Sequence, residues 1–204
     1  MKKLLITALM LFTSVAFAQI TCPQFFADNN LPRASQTYAA NAPTLLCKKR
    51  YAILFSAAQK TPIYVAEKIT KANIVNANVM RKDNFRPDPS IPVTQQASLK
   101  AFIGTHFDRG HMASFEDFAD DAVAADESFF MTNMVPQVDV MNRGIWKALE
   151  GRVRNVALRA DIYVLSGPIF VAPIQKLTDG TPIPTALFKA VFVPSTHEAF
   201  YFVL

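Results

Sequence analysis

Residues 106–117 read His-Phe-Asp-Arg-Gly-His-Met-Ala-Ser-Phe-Glu-Asp, and two of the chain's 3 histidines fall in this one stretch. Asp108, Arg109 and His111 set an acid, a permanent cation and a near-neutral base side by side. Imidazole exchanges a proton near neutral pH, and a guanidinium stabilises charge developing on a phosphoryl group. Gly110 lets the backbone turn or approach a neighbour closely. Taken alone, the stretch fits equally well a surface loop in which Asp108 and Arg109 pair and a histidine caps a turn.

A second stretch follows. Thr132-Asn133-Met134-Val135-Pro136-Gln137 leads into Asn142-Arg143-Gly144-Ile145-Trp146, then Leu149-Glu150 and Arg154. The periodicity predicts a helix over residues 142–159, with Asn142 able to cap it. Ile145, Trp146, Leu149, Val153 and Val156 fall on its apolar side, and Arg143, Lys147, Glu150 and Arg154 on the other. Glu150 and Arg154 are one turn apart, a spacing that can aim a carboxylate and a guanidinium at one site or make an ordinary surface pair.

Together the two stretches resemble the DNA/RNA non-specific endonuclease family, the ββα-metal (His-Me finger) nucleases, which include secreted bacterial enzymes and a mitochondrial branch. The resemblance rests on Asp108-Arg109-Gly110-His111, Asn133-Met134-Val135-Pro136-Gln137 and Asn142-Arg143-Gly144-x-Trp146-x-x-Leu149-Glu150, in this order, within a match over residues 51–204. It implies that His111 is the general base activating water and that Asn142 is the single protein ligand of Mg²⁺, with Mn²⁺ able to substitute. Glu150 would hold water in that ion's shell, Arg154 would steady the phosphate, Asn133 would organise the site and Arg109 would support it. Arg81 and Arg86 both compete for an upstream arginine that contacts substrate. DNA and RNA are the implied substrates, cut to 5′-phosphate and 3′-hydroxyl ends. Mg²⁺ prefers oxygen ligands and keeps several waters, so one amide oxygen plus phosphate can suffice. In a regular helix Glu150 lies about 12 Å beyond Asn142 along the axis. Both can serve one hydrated ion only if Asn142 precedes the regular helix or the side chains converge through water.

The remaining sequence frames this centre. Tyr51 to Ala57 and Pro62 to Ala66 are β-prone and read as an antiparallel pair, and so do Leu187 to Val193 and Ala199 to Leu204. Asp161 to Ser166 reads as a strand ending at Gly167, Phe129 to Met134 as a short strand, and residues 97–103 as a short helix. Residues 71–98, with Pro87, Pro89 and Pro92, read as a long surface loop. Strands outnumber helices and strand pairs lie on both sides of the main helix, which predicts an α+β fold with a mainly antiparallel sheet. The chain's 204 residues, 51% hydrophobic and 18% charged, exclude a disordered or collagen-like chain.

Lys2 and Lys3, an apolar run to Phe17 and Ala16-Phe17-Ala18 read as an export signal spanning residues 1–18. This predicts a periplasmic or secreted protein with one nuclease domain over 19–204 and no membrane span after cleavage. Losing the two signal lysines lowers the formal charge from +5 to +3, so a basic groove must be local. Its candidates are Arg81, Lys82, Arg86, Arg109, Arg143, Lys147, Arg152 and Arg154. In an exported chain the two cysteines, Cys22 and Cys47, are expected to pair, worth about 3 kcal/mol in the chain-entropy model. Ending at Phe202-Val203-Leu204, the chain reads as a fragment or a short variant, and no pattern specifies an oligomeric state. Two other classes compete. A serine hydrolase could use Ser166, but no Gly-x-Ser-x-Gly elbow occurs. A non-catalytic secreted nucleic-acid-binding protein would keep binding in EDTA and release no nucleotides.

Overall fold

The computed structural model describes residues 21–33 and 42–204, so the expected export signal lies outside the described residues. Six antiparallel strands form one sheet in the order β1-β2-β3-β6-β7-β8. They are β1 (Thr44–Cys47), β2 (Tyr51–Ser56), β3 (Thr61–Ile69), β6 (Ile162–Ile169), β7 (Ala186–Val193) and β8 (Glu198–Val203). The two expected strand pairs are present as β2–β3 and β7–β8. A separate two-stranded ribbon pairs β4 (Phe107–His111) with β5 (Met134–Val138). The fold is therefore α+β with a mainly antiparallel sheet, as the strand pattern predicts.

β2 is buried along its whole length because both faces of the sheet are covered there. Tyr51, Ile53 and Phe55 pack into the main core with Val65, Ile162, Val164 and the helix residues Trp146, Leu149 and Val153. Ala52 and Leu54 face the other way, against Phe25 and Phe26 of the N-terminal segment. A disulfide between Cys22 and Cys47 ties that segment to β1. Beyond the centre, the sheet becomes one-sided. β7 alternates buried and half-buried residues, and the edge strand β8 is exposed throughout.

Several local expectations are corrected. The strand predicted over Phe129 to Met134 starts only at Met134 and runs through Pro136, while Met131–Asn133 form a 3₁₀ turn. Proline is accepted because a two-stranded ribbon leaves each strand one edge where no N–H is required. The helix expected over residues 97–103 is a single 3₁₀ turn, Leu99–Phe102, and the strand expected to end at Gly167 continues to Ile169. The 71–98 loop opens on a short helix, α1 (Lys71–Val75), closed by a capping box between Thr70 and Asn73. Another short helix is α2 (Ala122–Glu127).

The principal helix differs most. It begins at α3 (Asp139–Met141), passes through a π turn (Asn142–Trp146) and continues as α4 (Lys147–Ala157). Asn142 is therefore not a cap: its φ and ψ of −58° and −51° lie inside the helix. Ile145, expected on the buried side, is exposed, whereas Trp146 is buried. The π turn rotates the face that a uniform helical period assigns.

Candidate active site

The ribbon, the π turn and α4 enclose a polar cavity of about 440 Å³. Of the residues predicted from sequence, His111, Asn142, Glu150 and Arg81 line it. Arg143 and Lys147, named above for a basic groove, line it too, and Ser114 and Glu116 complete the wall. Ser114 and Glu116 carried no prediction, although both lie in the stretch read around His111.

His111 is the last residue of β4, paired with Met134. Its ring meets Phe129 edge-on at 5.0 Å between centroids and Phe85 at 5.6 Å. Nε2 is buried and has no hydrogen-bond partner. Burial, reinforced by the positive charge of Arg81, pushes the imidazole down to about 3. The ring is therefore neutral across the working range of most enzymes, with its proton-accepting form present.

Asn133 holds the chain that leaves His111. Its Oδ1 accepts from the Ala113 amide at 3.0 Å, and its Nδ2 donates to the carbonyls of Ala113 and Ser128, both at 2.8 Å. It is completely buried, so it acts on backbone placement and does not reach the cavity. Gly110 has no room for a side chain, since a Cβ there would lie 2.1 Å from Cδ of Gln137.

Asp108 joins the ribbon to the π turn. Its Oδ2 accepts from Asn142 Nδ2 and from Arg143 Nε, each at 2.9 Å, and its Oδ1 accepts from Arg143 Nη2 at 2.7 Å. Hydrogen bonding from Arg143 holds this carboxyl below the usual carboxylate range. With Nδ2 committed to Asp108, the amide oxygen of Asn142 is the atom left for a ligand in the cavity.

The π turn also resolves the relation between Asn142 and Glu150. Eight residues of uniform α-helix turn the chain about 80° past two full turns, which separates the two side chains. A π turn accommodates one extra residue, so the same span stops about 20° short of two turns and brings them to one face. Glu150 is pushed up to about 7, chiefly by burial, while Lys189 and Arg154 oppose the shift.

Besides Asn133, three more predicted site residues, Arg154, Arg109 and Arg86, stand apart from the cavity lining. Arg154 Nη1 donates to Asp117 Oδ1 at 3.1 Å, and its Nη2 pairs with Glu116. The simple Glu150–Arg154 surface pair is therefore replaced by a link from α4 to the loop after β4. Arg109 lies over the Phe85 ring, 4.3 Å from the centroid. Arg86 pairs with Asp126 at 2.5 Å and stacks over Phe130, whereas Arg81 stands over Phe129 on the cavity side. Ser166 is buried, and its hydroxyl accepts from Lys189 Nζ at 2.6 Å, which leaves no accessible serine nucleophile there. His197 occupies an exposed position in the turn between β7 and β8.

Among the described residues no group of three or more His, Cys, Asp or Glu side chains could hold a metal ion. One free amide oxygen and a carboxylate on the same cavity wall form a hard, sparse oxygen set. Such a set suits a divalent cation that retains most of its water.

This fold and site place the protein in a defined class. The family model for DNA/RNA non-specific endonucleases matches residues 23–204, and the chain belongs to that family. It is 29% identical over 167 residues to Nuclease C1 of Cunninghamella echinulata var. echinulata, covering 75% of this chain and 66% of that protein. It is 33% identical over 157 residues to the mitochondrial nuclease EXOG of Homo sapiens, covering 71% of this chain and 43% of that one. The crystal structure of the EndoG/EndoGI complex contains a similar fold, with a TM-score of 0.68 at 22% identity, covering 78% of this chain and 73% of that chain. Matches to the curated relatives extend over about two fifths to two thirds of their lengths. Among the described residues no helix is long and apolar enough to cross a membrane.

Proposed function

We propose that this protein is an exported, Mg²⁺-dependent endonuclease that hydrolyses DNA and RNA, leaving 5′-phosphate and 3′-hydroxyl ends, and that Mn²⁺ can replace Mg²⁺. The observation carrying this reading is that a neutral, unpartnered His111 shares one polar cavity with Asn142 and Glu150. An export signal read over residues 1–18 and the Cys22–Cys47 disulfide support release to the periplasm or medium.

The imidazole of His111 accepts a proton from a water molecule as that water's oxygen attacks phosphorus in line with the leaving group. The new P–O bond forms as the bond to the 3′ oxygen breaks, and solvent returns a proton to the departing oxygen. The sugar 2′-hydroxyl takes no part, so both DNA and RNA are substrates. Asn142 would hold the divalent ion through its amide oxygen, and Glu150 would hold water beside it. When bound, the ion supplies positive charge to the oxygens of the scissile phosphate. Arg81 meets the phosphate at the cavity. Arg154 steadies the phosphate side by fixing Glu116 and Asp117, and Arg109 supports the site through its contact with the Phe85 ring beside His111. Arg143 and Lys147 give the cavity mouth the local positive field that a backbone substrate needs.

The test is digestion of closed circular duplex DNA and of RNA, with Mg²⁺ or with EDTA, by the native protein and by His111→Ala. Loss of circles and of RNA is expected only with Mg²⁺ and intact His111. The variant should fall about 10²–10⁴-fold in rate, the usual contribution of a general base, while its circular dichroism is unchanged. No cutting by folded native protein that retains DNA in EDTA would instead establish a binding protein.

A further inference from the structure

The inner face of the large sheet is apolar at nearly every position facing the helix, with three polar interruptions. Glu67 on β3, Ser166 on β6 and Lys189 on β7 are each 1% exposed. Ser166 and Lys189 are direct cross-strand partners, and Val65, two residues from Glu67, pairs with Ser166. The three therefore lie close together on neighbouring strands of the sheet.

Lys189 is the centre of that cluster. Its Nζ donates to Ser166 Oγ at 2.6 Å and to the Met112 carbonyl at 3.4 Å, and lies 4.8 Å from the centroid of the Trp146 ring. Met112 is the residue after His111, and Trp146 closes the π turn that begins at Asn142. One ammonium thus touches the sheet, the chain leaving His111 and the turn carrying Asn142. Its positive charge also acts on Glu67, Asp117 and Glu150. None of these carboxyl groups forms a direct ion pair with it within 4.0 Å, and Glu67 Oε2 has no partner.

A buried ammonium held by a hydroxyl, a carbonyl and a ring is an expensive way to fill space. An aliphatic side chain of the same length removes the desolvation cost, and replacing buried ions by apolar groups is often neutral or stabilising. The cation's return lies instead in the groups it connects. We infer that Lys189 is a positioning residue for phosphodiester hydrolysis, locking the His111 strand and the Asn142 turn to one point of the sheet. This rests on the nuclease reading above.

The test compares native protein, Lys189→Met and Ser166→Ala in steady-state cleavage of duplex DNA with Mg²⁺. Thermal unfolding and DNA retention in EDTA are measured alongside. Lys189→Met should keep its unfolding midpoint and its DNA binding, with KM within about threefold. Its kcat should fall at least about tenfold, as expected when reacting groups lose alignment but substrate binding survives. Ser166→Ala, which removes one anchor and keeps the charge, should lower kcat by about threefold or more. Native kcat in folded Lys189→Met overturns the inference, as does a fall in kcat that only tracks a lower unfolding midpoint. Should Lys189→Met fail to fold, native kcat in Ser166→Ala overturns it. Absence of cleavage by native protein defeats the nuclease reading itself and is distinct from all of these outcomes.

Discussion

Around His111 two influences act in the same direction. Phe85 and Phe129 pack against the ring and bury most of it, and Arg81 disfavours a second positive charge beside it. The resulting shift has a thermodynamic consequence. The unfolded chain's imidazole titrates near 6.5 and the folded one near 3, so between these values the unfolded state binds more protons. Stability from this group is present above pH 6.5 and is lost as pH falls toward 3. Comparing denaturant unfolding of native protein and His111→Asn in EDTA should expose it. From pH 6.5 to pH 5 the native protein should lose about 2 kcal/mol more than the variant. Parallel pH dependences would show that the ring is hydrated. At this scale His111, Asn142 and Glu150 were legible because a short motif carried them. Arg81 and Arg86 were not separable, since each pairs with an aspartate, Asp83 and Asp126 respectively, and only the fold sets Arg81 against the cavity.

At the scale of elements, the π turn decides whether the helix carries a site. Hydrophobic spacing located the helix, but a uniform period placed Ile145 in the core and treated Asn142 as a cap. Nothing in Asn-Arg-Gly-Ile-Trp announces the extra residue; the burial of Trp146 against the core and the clamp from Asp108 favour it. Gly144 lies in the turn with no atom within 4 Å of where its Cβ would be. Deleting Gly144 should convert the π turn to plain α-helix and leave Asn142 and Glu150 on one face, preserving measurable cleavage. Deleting Ala148, beyond the turn, should rotate Glu150 by about 100° and abolish cleavage, because the π turn then remains with one residue too few after it. Circular dichroism of both deletions, beside their nuclease rates, checks this; equal rates would remove the π turn from the account.

On the scale of the whole molecule, the sheet separates two jobs. Its inner face carries the helix, the ribbon and the buried polar groups on β3, β6 and β7. Its outer face receives Phe25 and Phe26, held by the Cys22–Cys47 bridge across a separation of 25 residues. Replacing both cysteines by serine should therefore lower unfolding stability by about 3 kcal/mol and leave kcat within about twofold. Denaturant midpoints and steady-state rates measure the two effects, and a large loss of kcat at native stability would couple the outer face to the site. The sequence by itself determined the class of fold, the paired strands, the helix and the residue types of the candidate site, because local periodicity and short motifs encode them. Only the tertiary structure decided which arginine faces the cavity, how Asn142 and Glu150 reach one side, and that Lys189 reaches Ser166, the Met112 carbonyl and the Trp146 ring. Each of these depends on contacts between residues far apart in the chain, where burial and hydrogen bonding outweigh local preference.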